Sequence, residues 1–338
     1  MPVVLGTIRR LALTPKLRAV TFAHRGFPGA GSPSAERLEA IPQSVICGFE
    51  WGIERRTLWE VERRLETMSP ELRGFAYEGA AMAYTVRDAM AGGRGRRAGS
   101  KTRALLLGTG APHIFLTYIG IGFAMARLPR PLWRDVLPDL AGSPYHPTMS
   151  WLAVDGYGFD RAYFHTRAVV DEQRVPRPYP WAGAPDYFPR AVDQGIGRAL
   201  WFIHGALPDG VVAAVRGFPA DRRADLWSGV GLAATFAGGC SAANLARIRA
   251  AAGEHADEVA LGSVFAAKAR TYAGFVPEHG RVATEVLTGL TVEDAVAVAD
   301  ATEVPSDASG PGGEPAYEVW RERIRSRIRS APNVADAA

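Results

Sequence analysis

The sequence predicts an all-α protein built from helical hairpins, and two observations predict it. Apolar blocks rich in glycine and alanine recur, and Gly122 to Gly197 and Gly156 to Gly231 are both spaced by 75 residues. Strand signals are sparse, whereas proline-bearing turns of the kind that begin helices, MSPE and ALPD, follow the blocks. We therefore expect a tetratricopeptide-like solenoid of helical hairpins or, alternatively, an irregular α-bundle.

The composition supports a globular chain with an ample core. Of 338 residues, 47% are hydrophobic and 22% are charged, and the net charge of +4 does not point to nucleic acid as a partner. With only two cysteines, Cys47 and Cys240, the chain has no disulfide framework of the kind that holds small secreted proteins together. The beginning of the chain shows no secretory signal, so we expect a cytoplasmic protein.

The repeats define the expected organisation. Residues 1–40 are predicted to form an N-terminal extension, and residues 41–300 a helical repeat domain. Within that domain the repeats span about 45–92, 115–170 and 190–245, with a partial copy at 246–300. Glycine and alanine on one helix face let backbones approach closely, so each unit is expected to bury that face against its neighbour.

One apolar stretch, Leu105 to Ala126, has 22 residues without a formal charge, which is the length of a membrane span. Glycines and Pro112 interrupt it near its start, and proline breaks a helix. We expect a buried helix in the stack, with membrane association as the less favoured alternative.

Three segments are predicted to be irregular, and a helix is predicted after the last of them. The irregular segments are a basic loop at 92–100, a proline- and aromatic-rich stretch at 175–189 that could cover a cleft, and a linker at 305–315. Residues 316–338 are predicted to form a basic helix and tail. Its stripe of Trp320, Ile324 and Ile328 is suited to docking on the core, on a partner or on an anionic membrane.

Motifs for cofactors and metals are lacking. The segment GRRAGSKT differs from a phosphate-binding loop in the residue before Lys101, and no strand precedes it. The seven histidines never pair at a zinc-binding spacing, and there is no dinucleotide fingerprint. We therefore predict neither a cofactor nor a metal.

The first candidate site residues lie in the segment WLAVDGYGFDRAYF. A carboxyl among aromatic side chains is expected to have a raised pKa and can act as a general acid near neutral pH. We predict that Asp155 is catalytic, with His165 ten residues on, and that Trp151 and Tyr157 bind the substrate.

The second group lies mainly in DQGIGRALWFIH. Asp193 is predicted to be catalytic, and the residues predicted to bind substrate are Gln194, Arg198, Trp201, His204 and, from the segment EGAAMA, Glu78. An acid before a helical glycine–alanine run is also typical of a helix cap, so capping is the competing interpretation for the three acids. Ordinary core or surface packing competes for the histidines and aromatic residues, and a salt bridge between repeats for Arg198.

Five long segments between about Cys47 and Gly239 carry a resemblance to a known family. They are CGFEWGIE, EGAAMAYTVRD, WLAVDGYGFDRAYF, DQGIGRALWF and FPADRRADLWSGVGLAATFAGG. The sequence resembles the UnbL-type bacterial family of unknown-function domains found with enediyne polyketide synthases. The resemblance implies a role in building an enediyne core beside a synthase that makes a linear polyene, and it implies no catalytic residues.

Two functions are expected from these observations. The first is a cofactor-independent cyclase, isomerase or maturation enzyme that acts on a hydrophobic polyene or polyketide by acid–base chemistry. The second is a non-catalytic helical-repeat scaffold for the polyketide synthase or its carrier domain. An enclosed aromatic pocket with an acid pointing into it would favour the enzyme, and an open groove would favour the scaffold.

Overall fold

The computed structural model describes residues 4–54, 57–98 and 100–330. Within these ranges there is no β-strand, and a single β-bridge joins Ser309 to Pro315. The all-α prediction is confirmed.

The described residues form two compact units. The first unit comprises Met1–Gly26 and Glu39–Tyr157, and the second comprises Phe27–Leu38 and Gly158–Ala338. The helices that lie mainly in the first unit are α1 (Val4–Leu13), α2 (Phe22–Arg25), α3 (Pro33–Glu54), α4 (Leu58–Leu65), α5 (Pro70–Ala98), α6 (Lys101–Leu107) and α7 (Ile114–Met125). Helix α8 (Trp151–Phe164) has residues in both units.

The second unit contains the remaining helices. They are α9 (Phe188–Ile203), α10 (Pro208–Gly217), α11 (Ala220–Ala237), α12 (Ala242–Ala252), α13 (Ala256–Tyr272), α14 (Glu278–Thr288), α15 (Val292–Thr302) and α16 (Ala316–Ser330). Helices α5 and α10 begin at Pro70 and Pro208, the two prolines that predicted helix starts.

Reciprocal glycine pairs join successive long helices. The pairs are Gly48 with Gly79 and Gly122 with Gly156 in the first unit, and Gly197 with Gly229 and Gly231 with Gly262 in the second. In every pair, a Cβ on either glycine would overlap with the backbone carbonyl oxygen of the residue three positions before the other glycine. This close backbone approach is the one that the glycine- and alanine-rich blocks predict.

The glycine-x-glycine pattern explains how one helix receives two neighbours. In α11, Gly229 lies against the carbonyl of Gln194 in α9, whereas Gly231 lies against that of Val259 in α13. Residues two apart on a helix point in nearly opposite directions, about 200° apart. A glycine-x-glycine sequence therefore marks a helix held between two others.

The long and short helices of the second unit alternate. Helices α9, α11 and α13 pack side by side, and the intervening α10, α12 and α14 pack against one another in turn. The glycines that mark this alternation recur at 34 residues, from Gly197 to Gly231, and at 33, from Gly229 to Gly262. This arrangement is that of helical hairpins.

Two of the predicted irregular segments are irregular, and one is not. Residues 305–315 form no helix, and 175–187 form only short turns before α9 begins at Phe188. The predicted basic loop at 92–100 is wrong for most of its length, because α5 continues to Ala98 and α6 starts at Lys101. Gly99 lies outside the described residues.

The apolar stretch from Leu105 to Ala126 is divided by a break at residues 108–113. All twelve residues of α7 are buried, which agrees with the predicted buried helix. Among the described residues no single helix is long and apolar enough to cross a membrane, and one pair, α6 with 111–125, meets the length and composition criteria only as two segments bent by 94°.

Helix α16 confirms the predicted C-terminal helix and docks within the second unit. Trp320 and Ile324 are 0% exposed, and the Trp320 indole donates a hydrogen bond of 2.9 Å to the carbonyl of Ala299 in α15. The predicted tail at 331–338 lies outside the described residues.

Candidate functional site

The three predicted acids lie inside helices. Glu78 lies within α5, Asp155 is the fifth residue of α8, and Asp193 is the sixth residue of α9. All three are buried, with exposures of 3%, 1% and 6%. The capping interpretation is therefore wrong for all of them, and each acid must have another role.

Asp155 lies on an aromatic ridge of α8. Residues four apart lie on one face of a helix, and Trp151, Asp155, Phe159 and Tyr163 follow that spacing. Trp151 is 2% exposed and Tyr163 is 1% exposed, whereas Phe159, between Asp155 and Tyr163, is half-buried. Of the other predicted residues near this helix, Tyr157 is half-buried and His165 is exposed.

The end of the ridge lies in an aromatic cluster of the second unit. The ring of Phe159 stacks on Tyr163 at 5.7 Å and meets the edge of Phe202 at 5.4 Å. Phe27 meets Tyr163 edge-on at 5.4 Å, and the Arg198 guanidinium lies 5.0 Å from the centre of the Phe159 ring. The cluster is apolar and electron-rich, and its faces can stabilise positive charge.

Asp193 forms an ion pair between α9 and α11. The Arg222 guanidinium donates hydrogen bonds of 2.9 and 2.6 Å to its two carboxylate oxygens. Burial raises the pKa of the Asp193 carboxyl above its ordinary value, although Arg222 acts in the opposite direction. The pair joins α9 to α11.

The predicted residues at the end of α9 have core positions. Trp201 is 0% exposed, and its indole donates to the carbonyl of Gly238 at 2.9 Å. His204 is half-buried, and its Nε2 atom is buried and finds no hydrogen-bond partner among the described residues. Burial lowers the pKa of His204, against the effect of the nearby Asp171 carboxylate, so the neutral imidazole is favoured.

Gln194 belongs to a buried ionic network that the sequence did not reveal. We name it the α16 ionic network. Its members are Arg190, Arg321 and Arg325, the acids Asp225, Glu258 and Glu318, and the neutral partners Tyr187, Gln194, Ser228 and Tyr317. The Gln194 amide nitrogen donates to Asp225 at 2.9 Å and to Tyr187 at 3.0 Å, and its oxygen accepts from Tyr317 at 3.4 Å.

Glu318 is the centre of this network. Its carboxylate accepts hydrogen bonds of 2.6 to 3.1 Å from Tyr187, Arg190, Arg321 and Arg325. Burial alone would raise its pKa, but Arg321, Arg190 and Arg325 outweigh burial and lower the pKa to about 2. Glu318 therefore stays ionised at neutral pH.

Arg321 links Glu318 to the other helices. It is 2% exposed, and its guanidinium also donates to Ser228 at 3.1 Å and to Asp225 at 3.3 Å in α11. Arg325 reaches Glu258 in α13 at 3.2 Å. Arg325 also donates to the exposed Glu322 at 2.7 Å. Every arginine of the network is thus paired with an acid, which favours a role in docking α16 over one in catalysis.

A cleft of about 530 Å³ opens on the first unit. Its volume lies within the range of small-molecule sites, about 300 to 1,000 Å³. The buried Thr85 and Thr102 and the apolar Val136 and Pro138 are part of its lining. Asp88 also lines it, but its carboxylate already accepts four hydrogen bonds from residues 100–102.

The cleft is separate from the predicted site residues, because none of them lines it. The ring of Tyr157 lies 4.9 Å from the ring of Trp133, whose sequence neighbours Leu132 and Arg134 are part of the lining. Among the described residues, no three His, Cys, Asp or Glu side chains are grouped so as to hold a metal ion.

Comparison with protein-family models gives one finding. Residues 4–328 match the family described as "Protein of unknown function (DUF1702)", so the match spans nearly the whole chain. No curated protein and no solved structure matches the sequence.

Proposed function

The chain belongs to the DUF1702 family, and we propose that it is an enzyme of specialised-metabolite biosynthesis that isomerises or cyclises a hydrophobic polyene without a bound cofactor. The observation that carries the proposal is the Asp155 carboxyl, 1% exposed on a ridge whose other members are Trp151, Phe159 and Tyr163. Acids in catalysis need such an enclosed, apolar setting to hold and release a proton away from water.

The chemistry follows from the side chains of the ridge. A carboxylic acid adds a proton to a conjugated double bond, and the positive charge that results spreads along the polyene. Aromatic faces such as those of Trp151 and Phe159 attract that charge. Loss of a proton from another carbon to a carboxylate then gives an isomer or, after ring closure, a cycle, with no net gain or loss of atoms.

The pathway rests on the resemblance of five segments to the UnbL-type family, since the DUF1702 description names no pathway. We propose that the substrate is a linear polyene or polyketide of the kind that an enediyne-type synthase makes, in the cytoplasm. The iterative synthase or its carrier domain would then be the protein that delivers it.

The alternative is a scaffold for the synthase, and the hairpins of α9 to α14 favour it. Helical-hairpin arrays in general bind partner proteins along their surfaces. The enzyme and the scaffold differ in one measurable respect, because only the enzyme changes the polyene.

The test is to incubate the purified chain with the products of a polyene-making synthase and compare them by mass spectrometry. Loss of an acid–base group typically lowers the rate by 10²- to 10⁴-fold. We expect a new product from the wild type and a loss of at least about a hundredfold for Asp155→Asn.

Asp160→Asn is the matched control. Asp160 is also an acid of α8 and is 2% exposed, but it lies off the ridge. Equal losses for both variants would show a structural effect and remove Asp155 from the reaction. An unchanged product profile, together with co-elution of chain and synthase, would support the scaffold.

A further inference from the structure

The N-terminal segment exposes leucine side chains in a strongly basic stretch. Leu11 is 74% exposed, Leu13 is 40% and Leu17 is 50%, and all three lie in α1 or within four residues of its end. Leu11 and Leu13 point to different sides of α1, so the exposed apolar surface follows the segment and does not form one face. We define residues 4–18 as the basic leucine segment.

The charge of this part of the chain has one sign. The sequence has no acidic residue before Glu36, whereas it has five arginines and lysines in that stretch. Arg10 forms an ion pair with Glu50 of α3 at 3.1 Å. Lys16 and Arg18 are exposed and flank Leu17 directly. The combination of exposed leucines and adjacent cations is typical of segments that lie in the interface of an anionic membrane.

The first unit exposes another large apolar side chain, Trp59, in the chain after α3. Gly6 of α1 packs on the carbonyl of Glu54, at the end of α3. Trp59 follows five residues later, so its Cα is within about 18 Å of Glu54. Trp59 is 67% exposed. Tryptophan is enriched at the interface between membrane and water, where its ring is partly buried among headgroups.

We propose that the basic leucine segment binds the surface of an anionic lipid bilayer, with the leucines entering the interface and Lys16 and Arg18 contacting headgroups. A second copy of the chain fits less well, because it would bring the exposed cations Lys16 and Arg18 of two copies together. The proposal does not depend on the proposed catalytic function. It differs from the predicted span at residues 105–126, which would cross the membrane.

The test is flotation of the full chain with vesicles. We expect binding to phosphatidylcholine vesicles that contain roughly one-third phosphatidylglycerol, and little binding to phosphatidylcholine alone. Binding should weaken as salt rises to about 0.5 M, because salt screens the headgroup charge. Lys16→Gln/Arg18→Gln should weaken binding about thirtyfold, since each cation near the surface contributes about one power of ten or slightly less.

The leucines are tested in the same way. Leu11→Gln/Leu17→Gln should weaken binding at least about tenfold, because two side chains no longer enter the apolar interface. The matched controls are Leu132→Gln/Leu207→Gln, which also replaces two exposed leucines, and Arg323→Gln/Arg327→Gln, which also removes two exposed cations. Both controls should bind as the wild type does, and unchanged thermal unfolding would show that all variants fold.

Three results would overturn the proposal. One is a wild type that does not float with anionic vesicles, and another is a loss of binding in the controls equal to that in the segment variants. The third is self-association, measured by light scattering, that Leu11→Gln/Leu17→Gln abolishes while vesicles are not bound. That result would identify a second copy as the occupant.

Discussion

The second unit joins its helices in two contrasting ways. Helices α9, α11 and α13 approach one another at glycine pairs, where backbone touches backbone without charge, although Asp193 and Arg222 also form an ion pair between α9 and α11. Helix α16 meets the same helices through three arginines and three acids. The first contact depends on shape alone and should be indifferent to pH and salt. The second depends on ionisation. Changing the pH or the charged residues should therefore weaken the docking of α16 and leave the glycine contacts unaffected.

The largest expected effect is that of Arg321→Met. Methionine fills a similar volume but leaves Glu318 and Asp225 short of a buried partner. Breaking one side of a buried ion pair typically costs about 3 to 5 kcal/mol. We expect a loss of that size in the free energy of unfolding, measured with a chemical denaturant.

Arg247→Met is its control, because Arg247 pairs with Asp209 at 2.6 Å on the surface, with side chains 56% and 88% exposed. Exposed pairs contribute about 0 to 1 kcal/mol. If both variants lost the same stability, the contrast between the buried network and a surface pair would be wrong.

The second-largest expected effect is the weakening of the α16 ionic network by acid. The pKa of Glu318 is lowered to about 2 from an ordinary value of 4.5, so the stability it adds is complete above pH 4.5 and is lost as pH falls towards 2. A shift of this size corresponds to about 3 kcal/mol. Unfolding measured across that range should show the loss in the wild type and much less of it in Glu318→Gln.

Two other acids act in the opposite direction. Burial raises the pKa values of Glu258 and Asp193, so the stability linked to them falls as pH rises above the ordinary carboxyl range. Their contribution to the free energy of unfolding changes at pH values above that range, and it decreases as pH rises, whereas the contribution of Glu318 decreases as pH falls. An equally steep acid loss in Glu318→Gln would show that another group is responsible.

The smallest expected effect is that of Gly229→Ala. The new methyl group would meet the carbonyl of Gln194, and backbone cannot move aside as a flexible side chain can. Overpacking of this kind costs about 1 to 3 kcal/mol, less the gain of about 1 kcal/mol that alanine brings to a helix. We expect a net loss of up to about 2 kcal/mol that does not change with pH or salt.

Gly217→Ala is the matched control, because nothing lies within 4 Å of a Cβ at that position in α10. It should stabilise the chain slightly through helix propensity. If Gly229→Ala lowers the free energy of unfolding and Gly217→Ala raises it, the backbone contact decides the effect and the loss of a glycine does not.

The fold could be predicted from the sequence where the determinants are local. Small residues at regular spacing predicted the close helix packing, and the apolar stripe of Trp320 and Ile324 predicted the docking face of α16. The loop at 92–100 was mispredicted, because glycines suggest a turn although α5 continues through them. The pairing of Gly122 with Gly156 was not predicted either, because a regular spacing along the sequence does not show which glycines touch.

The candidate site was less predictable, because its contacts join distant parts of the chain. Asp155 was singled out by its aromatic neighbours, which are close in sequence. Glu318 and Arg321 were missed, because a run of charges on a helix is usually solvated and their partners lie 93 to 131 residues away. No pattern within α16 alone distinguishes its buried arginines from its exposed ones.

The reciprocal glycine contact has a consequence for how such a chain can lengthen. Helix α11 makes the same glycine contact on two sides, through Gly229 with α9 and through Gly231 with α13. A tandem copy of the α11–α12 segment would add a helix with the same two glycines. One glycine could pack on the helix before it and the other on the helix after it, so no new contact surface would have to evolve. Gene duplication of about 34 residues is therefore a ready route to longer members, whereas insertion of an arbitrary length would leave a glycine facing a side chain.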